Sequence, residues 1–274
     1  MQTLGILIAS CDKNEWLLKV FFEQFKKFWP QCPYKIYLSM ERKTFDYQDI
    51  DIISITHETE IGWCERTKRA LQQMQEDYVL VLLDDFIIEE QVNECLLEYY
   101  LGILRDNNLS NIILTPVLNE RNYSICMYES LYHRHRFGRY KTSLQCGLWR
   151  KSILEELLIA GENAWEFEIF ANIRSFLLKD SFYAVKNNKC KPIVYNDGFF
   201  VVQGRVNLIE KKRLEKKLGI EIDIGNALSF EKEIIRDDIK FVPRVIRRLK
   251  IMVKTIIYRC KFYRLRRPAM NSQE

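Results

Sequence analysis

Apolar residues along the chain come in short unbroken runs, separated by longer stretches in which they recur at helical spacing. LGILIAS (4–10), YKIYLSM (34–40), DIISITH (51–57), YVLVLLDDF (78–86) and NIILTPV (111–117) are rich in Ile, Val, Leu and Tyr and are bounded by polar or turn residues. Such runs read as strands buried on both faces. Residues 14–29 repeat apolar side chains at helical intervals and stop before Pro30, and 64–76 and 90–105 follow the same rule. Regular alternation of strand and helix predicts a parallel α/β sheet covered on both faces.

Beyond residue 118 the pattern changes. The stretch 119–140 is long, aromatic and basic without a clear period, and reads as a loop or hairpin region. Helices are expected at about 149–160 and 164–179, a strand before Asn196 and a charged helix near 207–218. After Pro243, the residues Val245, Leu249, Met252, Val253, Ile256, Cys260 and Tyr263 share one helical face, with Arg247, Lys250, Lys254 and Lys261 opposite.

Composition sharpens this picture in two places. The 274 residues carry a net charge of +5, but residues 240–274 hold eleven basic side chains and one acidic, leaving 31 basic and 36 acidic in the preceding body. A cationic amphipathic tail of this kind suits an anionic membrane surface, while the acidic body opposes nucleic acid, which is not expected as a partner. Terminal packing on the body is the plainer alternative for the tail. The eight cysteines form no CxxC pair, so a zinc ribbon or disulfide scaffold is not indicated, and His133 and His135 have no third ligand at a usable spacing. The N-terminal apolar run is too short and lacks the basic flank of a signal peptide, and no stretch reaches the length of a spanning helix. A cytoplasmic protein, peripheral on the inner face of the membrane through its tail, is the expected setting.

The sharpest chemical feature is a strand that ends in two adjacent carboxylates, Asp84 and Asp85. Ligands of open α/β sheets bind beyond the carboxyl ends of the strands. Two neighbouring acids raise each other's pKa unless a cation compensates them, and hard oxygen ligands favour Mg2+ or Mn2+. A metal there could grip a diphosphate and stabilise it as it leaves. The competing reading is that the pair simply caps a turn or the next helix.

The strand ILIAS, its polar loop Cys11, Asp12 and Lys13, and the segment Gly62, Trp63, Arg66, Lys68 leading by a helix into VLVLLDDF together resemble the nucleotide-sugar half of GT-A glycosyltransferases of the family-2-like, bacterial surface polysaccharide type. The resemblance covers residues 1–118 well and 140–205 loosely. It implies an α/β fold of GT-A type, a Rossmann-like mostly parallel sheet flanked by helices, followed here by the basic amphipathic tail. Residues 1–118 would form the nucleotide-sugar-binding half, 119–239 the acceptor half of the same domain and 240–274 the tail. A strict DxD motif from Asp84 would need an acid where Phe86 stands, so the motif looks like a shifted EDD variant with Leu83 in place of Glu. Asp85 then takes the metal-facing place, and Asp84 is a ribose or metal partner. The resemblance further implies Ser10, Asp12, Thr56 and His57 near the nucleotide. Arg66, whose fork can grip phosphate in two places, is favoured over Lys68 as a phosphate contact.

Residues 142–174 resemble the acceptor half of the same enzymes, in which a carboxylate of an ED-type motif deprotonates the acceptor hydroxyl. Here the acids are Glu168 and, second to it, Glu166, with Glu162 nearby; Trp165 and Phe167 supply an aromatic setting in which a base is effective. On a helix Glu166 and Glu168 point about 200° apart, so only one can face a cleft. The alternative is a helix first turn enriched in acids by the dipole. YNDGFFVVQGR places Gly204 and Arg205 in a segment similar to the one that closes over the diphosphate. The expected activity is transfer of a sugar from a nucleoside-diphosphate sugar to a glycan or lipid-linked acceptor, inverting, in surface polysaccharide synthesis. The rivals are a sugar nucleotidyltransferase, whose glycine-rich phosphate loop is missing from IASCDKNE, and a non-catalytic membrane- or nucleic-acid-binding protein that uses its tail.

Overall fold

The chain opens with strand β1 (Leu4–Ala9), helix α1 (Glu15–Phe28), β2 (Ile36–Ser39), β3 (Ile52–Ile55), α2 (Trp63–Gln73) and β4 (Tyr78–Leu83). It continues through α3 (Glu94–Asp106), β5 (Asn111–Ile113), the hairpin strands β6 (Tyr123–Ile125) and β7 (Leu131–Arg134), then β8 (Gly147–Arg150), α4 (Lys151–Leu157), α5 (Ala164–Arg174) and β9 (Phe182–Val185). The small strands β10 (Val201–Val202) and β11 (Arg205–Asn207), helix α6 (Leu208–Leu218) and β12 (Ser229–Phe230) follow. This computed structural model describes residues 3–116, 123–135, 141–176, 178, 181–196 and 199–232. Residues 1–232 form one compact unit. The expected amphipathic helix beyond Pro243 lies outside the described residues.

The main sheet has the order β3-β2-β1-β4-β8-β5-β9-β7-β6. β1 pairs in parallel with β2 and β4, β2 with β3, and β5 with β9, whereas β8 is antiparallel to both β4 and β5. β7 is antiparallel to β9 and β6 to β7, so all strands but β8 and β7 run one way. This is the mostly parallel, helix-flanked α/β sheet that the sequence predicts. β10, β11 and β12 form a separate three-stranded sheet.

The central runs work as both-face-buried strands should, because side chains alternate along them, whereas β3 at the sheet edge departs from the expectation, with Ile53 exposed. Tyr78, Leu80 and Leu82 of β4 join Phe21, Phe22 and Phe25 of α1 and Leu97, Tyr100 and Leu104 of α3 in the core of one face. Val79 and Val81 point the other way, to Leu71 of α2, Leu154 of α4 and Phe167 of α5. Two boundaries differ from the sequence reading. Trp149 and Arg150 belong to β8 and not to the next helix, and α5 ends at Arg174, five residues short of the expected 179. The segment before Asn196 makes one bridge, Ile88 with Tyr195, in place of a full strand. In β8 a Gly-Leu-Trp-Arg strand runs straight into helix-forming Lys-Ser-Ile-Leu-Glu-Glu-Leu, so periodicity alone cannot find the junction.

Beneath α5, Glu162 and Arg174 form a fully buried ion pair through two bonds of 2.8 Å, and Arg174 also donates to the Leu157 carbonyl. Glu162, the third acid near the expected base, is therefore committed to structure. Removing one partner of a buried pair leaves an uncompensated charge, whereas replacing both with apolar side chains does not. Glu162→Ala should lower unfolding free energy by about 3–5 kcal/mol in urea titrations, and Glu162→Ala with Arg174→Met should recover most of that loss.

Candidate functional site

The register of the parallel strands aligns their carboxyl ends into a single rim. Ala9 stands opposite both Ser39 and Leu83, and Ser39 opposite Ile55, so Ser10, Thr56 and Asp84 emerge in one row just past the strand ends. β8 runs the other way, with Gly147 opposite Val81 and Ile113, so the segment that feeds it, residues 141–146, arrives at this same rim.

Asp84 is buried there and bound twice on one oxygen. Ser10 Oγ donates to its Oδ2 at 2.6 Å and Asn14 Nδ2 donates to the same atom at 2.9 Å. Burial pushes the Asp84 carboxyl above the usual range, against the pull of Ser10, Asn14 and the positive Arg66. Asn14 occupies the N-cap position of α1, yet its side chain makes no cap bond. A favourable local use of Asn is given up for the carboxylate.

Asp85 is partly exposed and has no side-chain partner among the described residues. Its carboxyl is pushed up to about 8, first by burial and next by the adjacent Asp84 charge. The described residues contain no group of three His, Cys, Asp or Glu placed to hold a metal by themselves. The pair still fits a hard divalent cation that takes most of its ligands from a diphosphate and water, since such ions commonly use one or two carboxylates plus substrate phosphates.

Glu41, which sequence reasoning missed, ties the nucleotide side together. Its carboxylate accepts from Arg66 at 3.1 Å and from the Asp12 backbone N–H at 3.1 Å, and its carbonyl accepts from the His57 N–H at 2.9 Å. In return the Asp12 carboxylate accepts the N–H groups of Glu41, Arg42 and Lys43. Arg66 is buried and donates to the Ser10 carbonyl at 3.0 Å. The guanidinium expected at a phosphate is thus spent on holding the loops after β1 and β2, and Lys68 is turned to the Leu158 carbonyl. His57 Nε2 is buried without a hydrogen-bond partner, and its pKa is lowered by burial and by Arg69 and Arg66. Thr56 stands beside it.

Across the rim, Glu168 Oε1 accepts from the Leu144 N–H at 2.9 Å and from Ser143 Oγ at 3.2 Å, while no described residue bonds Oε2. Burial raises the Glu168 pKa, opposed by those two donors and by Arg134. Glu166 instead closes a capping box with Asn163, each side chain accepting the other's backbone N–H. Trp165 is 61% exposed and lies one turn before Glu168 on the same helix. Arg205 donates to the Ser229 carbonyl and lies over Phe230, within the small sheet and bonded to none of the other candidates. The turn beside it, Gln203 and Gly204, has both residues at positive φ, and a Cβ on Gly204 would lie 3.7 Å from Lys13 Nζ in the loop after β1.

No protein-family model matches the chain, and neither does any curated protein. Among solved structures it is similar to S. aureus TarS 1–349 at 12% identity and a TM-score of 0.45, over 67% of this chain and 57% of that one. It is also similar to S. aureus TarS at 13% identity and a TM-score of 0.43, over 66% of this chain and 36% of that one. UDP-glucose pyrophosphorylase complexed with UDP-glucose is matched at 8% identity and a TM-score of 0.40, over 68% of this chain and 90% of that one. The chain thus spans little more than half the length of TarS 1–349.

The acidic pair has a consequence for stability. Because the Asp85 pKa is raised on folding, its contribution is most favourable below the ordinary aspartate value of 3.8 and is lost as pH rises through about 8. In EDTA-containing buffer, Asp85→Asn should be more stable than wild type at pH 9, with the difference shrinking toward zero below pH 4, as read by urea unfolding.

Proposed function

We propose that this chain is a glycosyltransferase that binds a nucleoside-diphosphate sugar on the β1–β4 rim and transfers the sugar to an acceptor hydroxyl with inversion. The observation that carries the reading is the division of labour on one rim: Asp84 buried and bonded, Asp85 left open beside it, and Glu168 across from them with one oxygen fixed and the other available. The reversal of strand order between β1 and β4, at whose carboxyl ends Ser10 and Asp84 emerge, supports this reading, because open α/β sheets bind ligands at such points.

In this reading Ser10, Thr56 and His57 face the nucleotide, and Asp12 and Arg66 shape its pocket by pinning the surrounding loops. Asp85, backed by Asp84, would hold Mg2+ or Mn2+, which supplies charge neutralisation for the departing diphosphate. Glu168 takes the proton of the acceptor hydroxyl as that oxygen bonds to the anomeric carbon; the bond from that carbon to the diphosphate oxygen breaks, and its electron pair leaves with the phosphate. Two donors on Oε1 hold the carboxylate in one orientation, which a base needs to be within reach of its proton. Trp165 offers an exposed ring face for an acceptor sugar. A glycan or lipid-linked acceptor of surface polysaccharide synthesis, met at the inner face of the membrane, is supported by the sequence resemblance and the basic stretch after Lys240. Among the described residues no helix is long and apolar enough to cross a membrane.

Glu168→Gln should reduce transfer by about 10²–10⁴-fold while leaving donor affinity unchanged, whereas Glu166→Gln should retain turnover, because Gln also serves at that position of a capping box. Wild-type turnover should rise with pH through a pKa above the ordinary glutamate value of 4.5, since the base must be ionised. The assay is sugar transfer or donor hydrolysis from a panel of nucleotide sugars, with affinities measured separately. Full turnover in Glu168→Gln removes the base assignment.

A further inference from the structure

Tyr195 is the hub of a polar cluster that the mechanism above does not use. It is 4% exposed, and its ring stacks on Phe86, the residue after Asp85, with centroids 4.4 Å apart. Its hydroxyl accepts the Cys146 N–H at 3.3 Å, lies 2.7 Å from Thr115 Oγ1 and donates to Gln145 Oε1 at 2.9 Å. A phenol has one proton; with that proton given to Gln145, the Thr115 hydroxyl is the donor in the remaining contact. The Gln145 backbone N–H in turn donates to Ser143 Oγ at 3.3 Å, the hydroxyl that donates to Glu168. Gln145 therefore links Tyr195, stacked on the residue after the acidic pair, to the loop that bonds Glu168.

Its side chain is held by one end only. Oε1 is taken by Tyr195, and no described residue accepts from Nε2. Gln145 is partly exposed and lies two residues before Gly147 on the incoming segment, so continuing the register puts it at the rim alongside Leu83 and Thr115. A sugar in transit from diphosphate to acceptor must lie between the acidic pair and the base. We infer that Gln145 is a donor-sugar contact and specificity determinant: its carboxamide NH2 donates to a hydroxyl oxygen of the hexose, and Tyr195 and Thr115 are positioning residues that fix which end of the amide faces the site. The inference rests on the glycosyltransferase reading. A neutral donor suits a hydroxyl oxygen, and a carboxamide locked at its oxygen can read the position of that hydroxyl, which separates one hexose epimer from another.

The experiment compares the dissociation constants of bare nucleoside diphosphates and of their hexose esters, including epimeric pairs, by calorimetry on the full chain with Mn2+ present. Gln145→Met and the isosteric Gln145→Glu, which keeps the acceptor for Tyr195, should bind the bare nucleotide within about twofold of wild type. The extra affinity conferred by the hexose should fall by about three- to tenfold in both, with loss of epimer preference, and Tyr195→Phe should show the same change to a smaller degree. A merely structural role would lower nucleotide and nucleotide-sugar binding together. Unchanged sugar increment and epimer preference in both Gln145 variants, with nucleotide binding intact, overturns the inference alone. Failure of the wild-type chain to bind any nucleoside diphosphate overturns the glycosyltransferase reading and this inference with it.

Discussion

A buried carboxylate at the end of a parallel strand organises this molecule. Asp84 is held by Ser10, just past the end of the strand beside it, and by Asn14 from the start of α1, and bonds of this charged kind contribute about 1.5–3 kcal/mol each where burial alone would be unfavourable. The arrangement fixes the loop after β1 against the end of β4. It also leaves the next residue, Asp85, without a side-chain partner among the described residues, its carboxyl pushed up to about 8. A fold that tolerates such a residue does so at the expense of stability, a pattern expected where ligand binding supplies the missing counter-charge.

The rim gathers contributions from both halves of the chain because of one topological feature. β8 inserts antiparallel between β4 and β5, so residues 141–146 approach from the edge where the parallel strands end. Ser143 and Leu144 then meet Glu168 of α5, while Gln145 meets Tyr195, whose ring lies against Phe86. Three distant stretches of sequence converge through direct contacts, and Glu168 is linked to the residue after the acidic pair through Ser143, Gln145 and Tyr195.

Much of this was legible in the sequence. The five apolar runs mark β1 to β5, and the abrupt end of YVLVLL in two aspartates marks the rim, because a strand buried on both faces can carry acids only where it emerges. The pairing of Asp84 with Ser10 was not legible, since it depends on the register of β1 against β4 across 74 residues. Asn14 reads locally as a helix cap, and only tertiary contact reveals its use on Asp84. Glu41 sits in a polar loop with no distinguishing neighbour. Arg66 has the right type and place for phosphate, but in the folded chain the Ser10 carbonyl and Glu41 claim its donors first. The choice between Glu166 and Glu168 needed the capping box: Asn163 three residues before Glu166 is a visible signature of it and assigns that acid to the helix end.

The central claim is that Asp85, backed by Asp84, binds a diphosphate through a divalent cation. Calorimetric titration of nucleoside diphosphates into the full chain, with Mn2+ and then with EDTA, tests it most directly. Saturable binding that requires Mn2+ and is lost in Asp85→Asn is the predicted result; equal affinity in EDTA, or in Asp85→Asn with Mn2+ present, would contradict it.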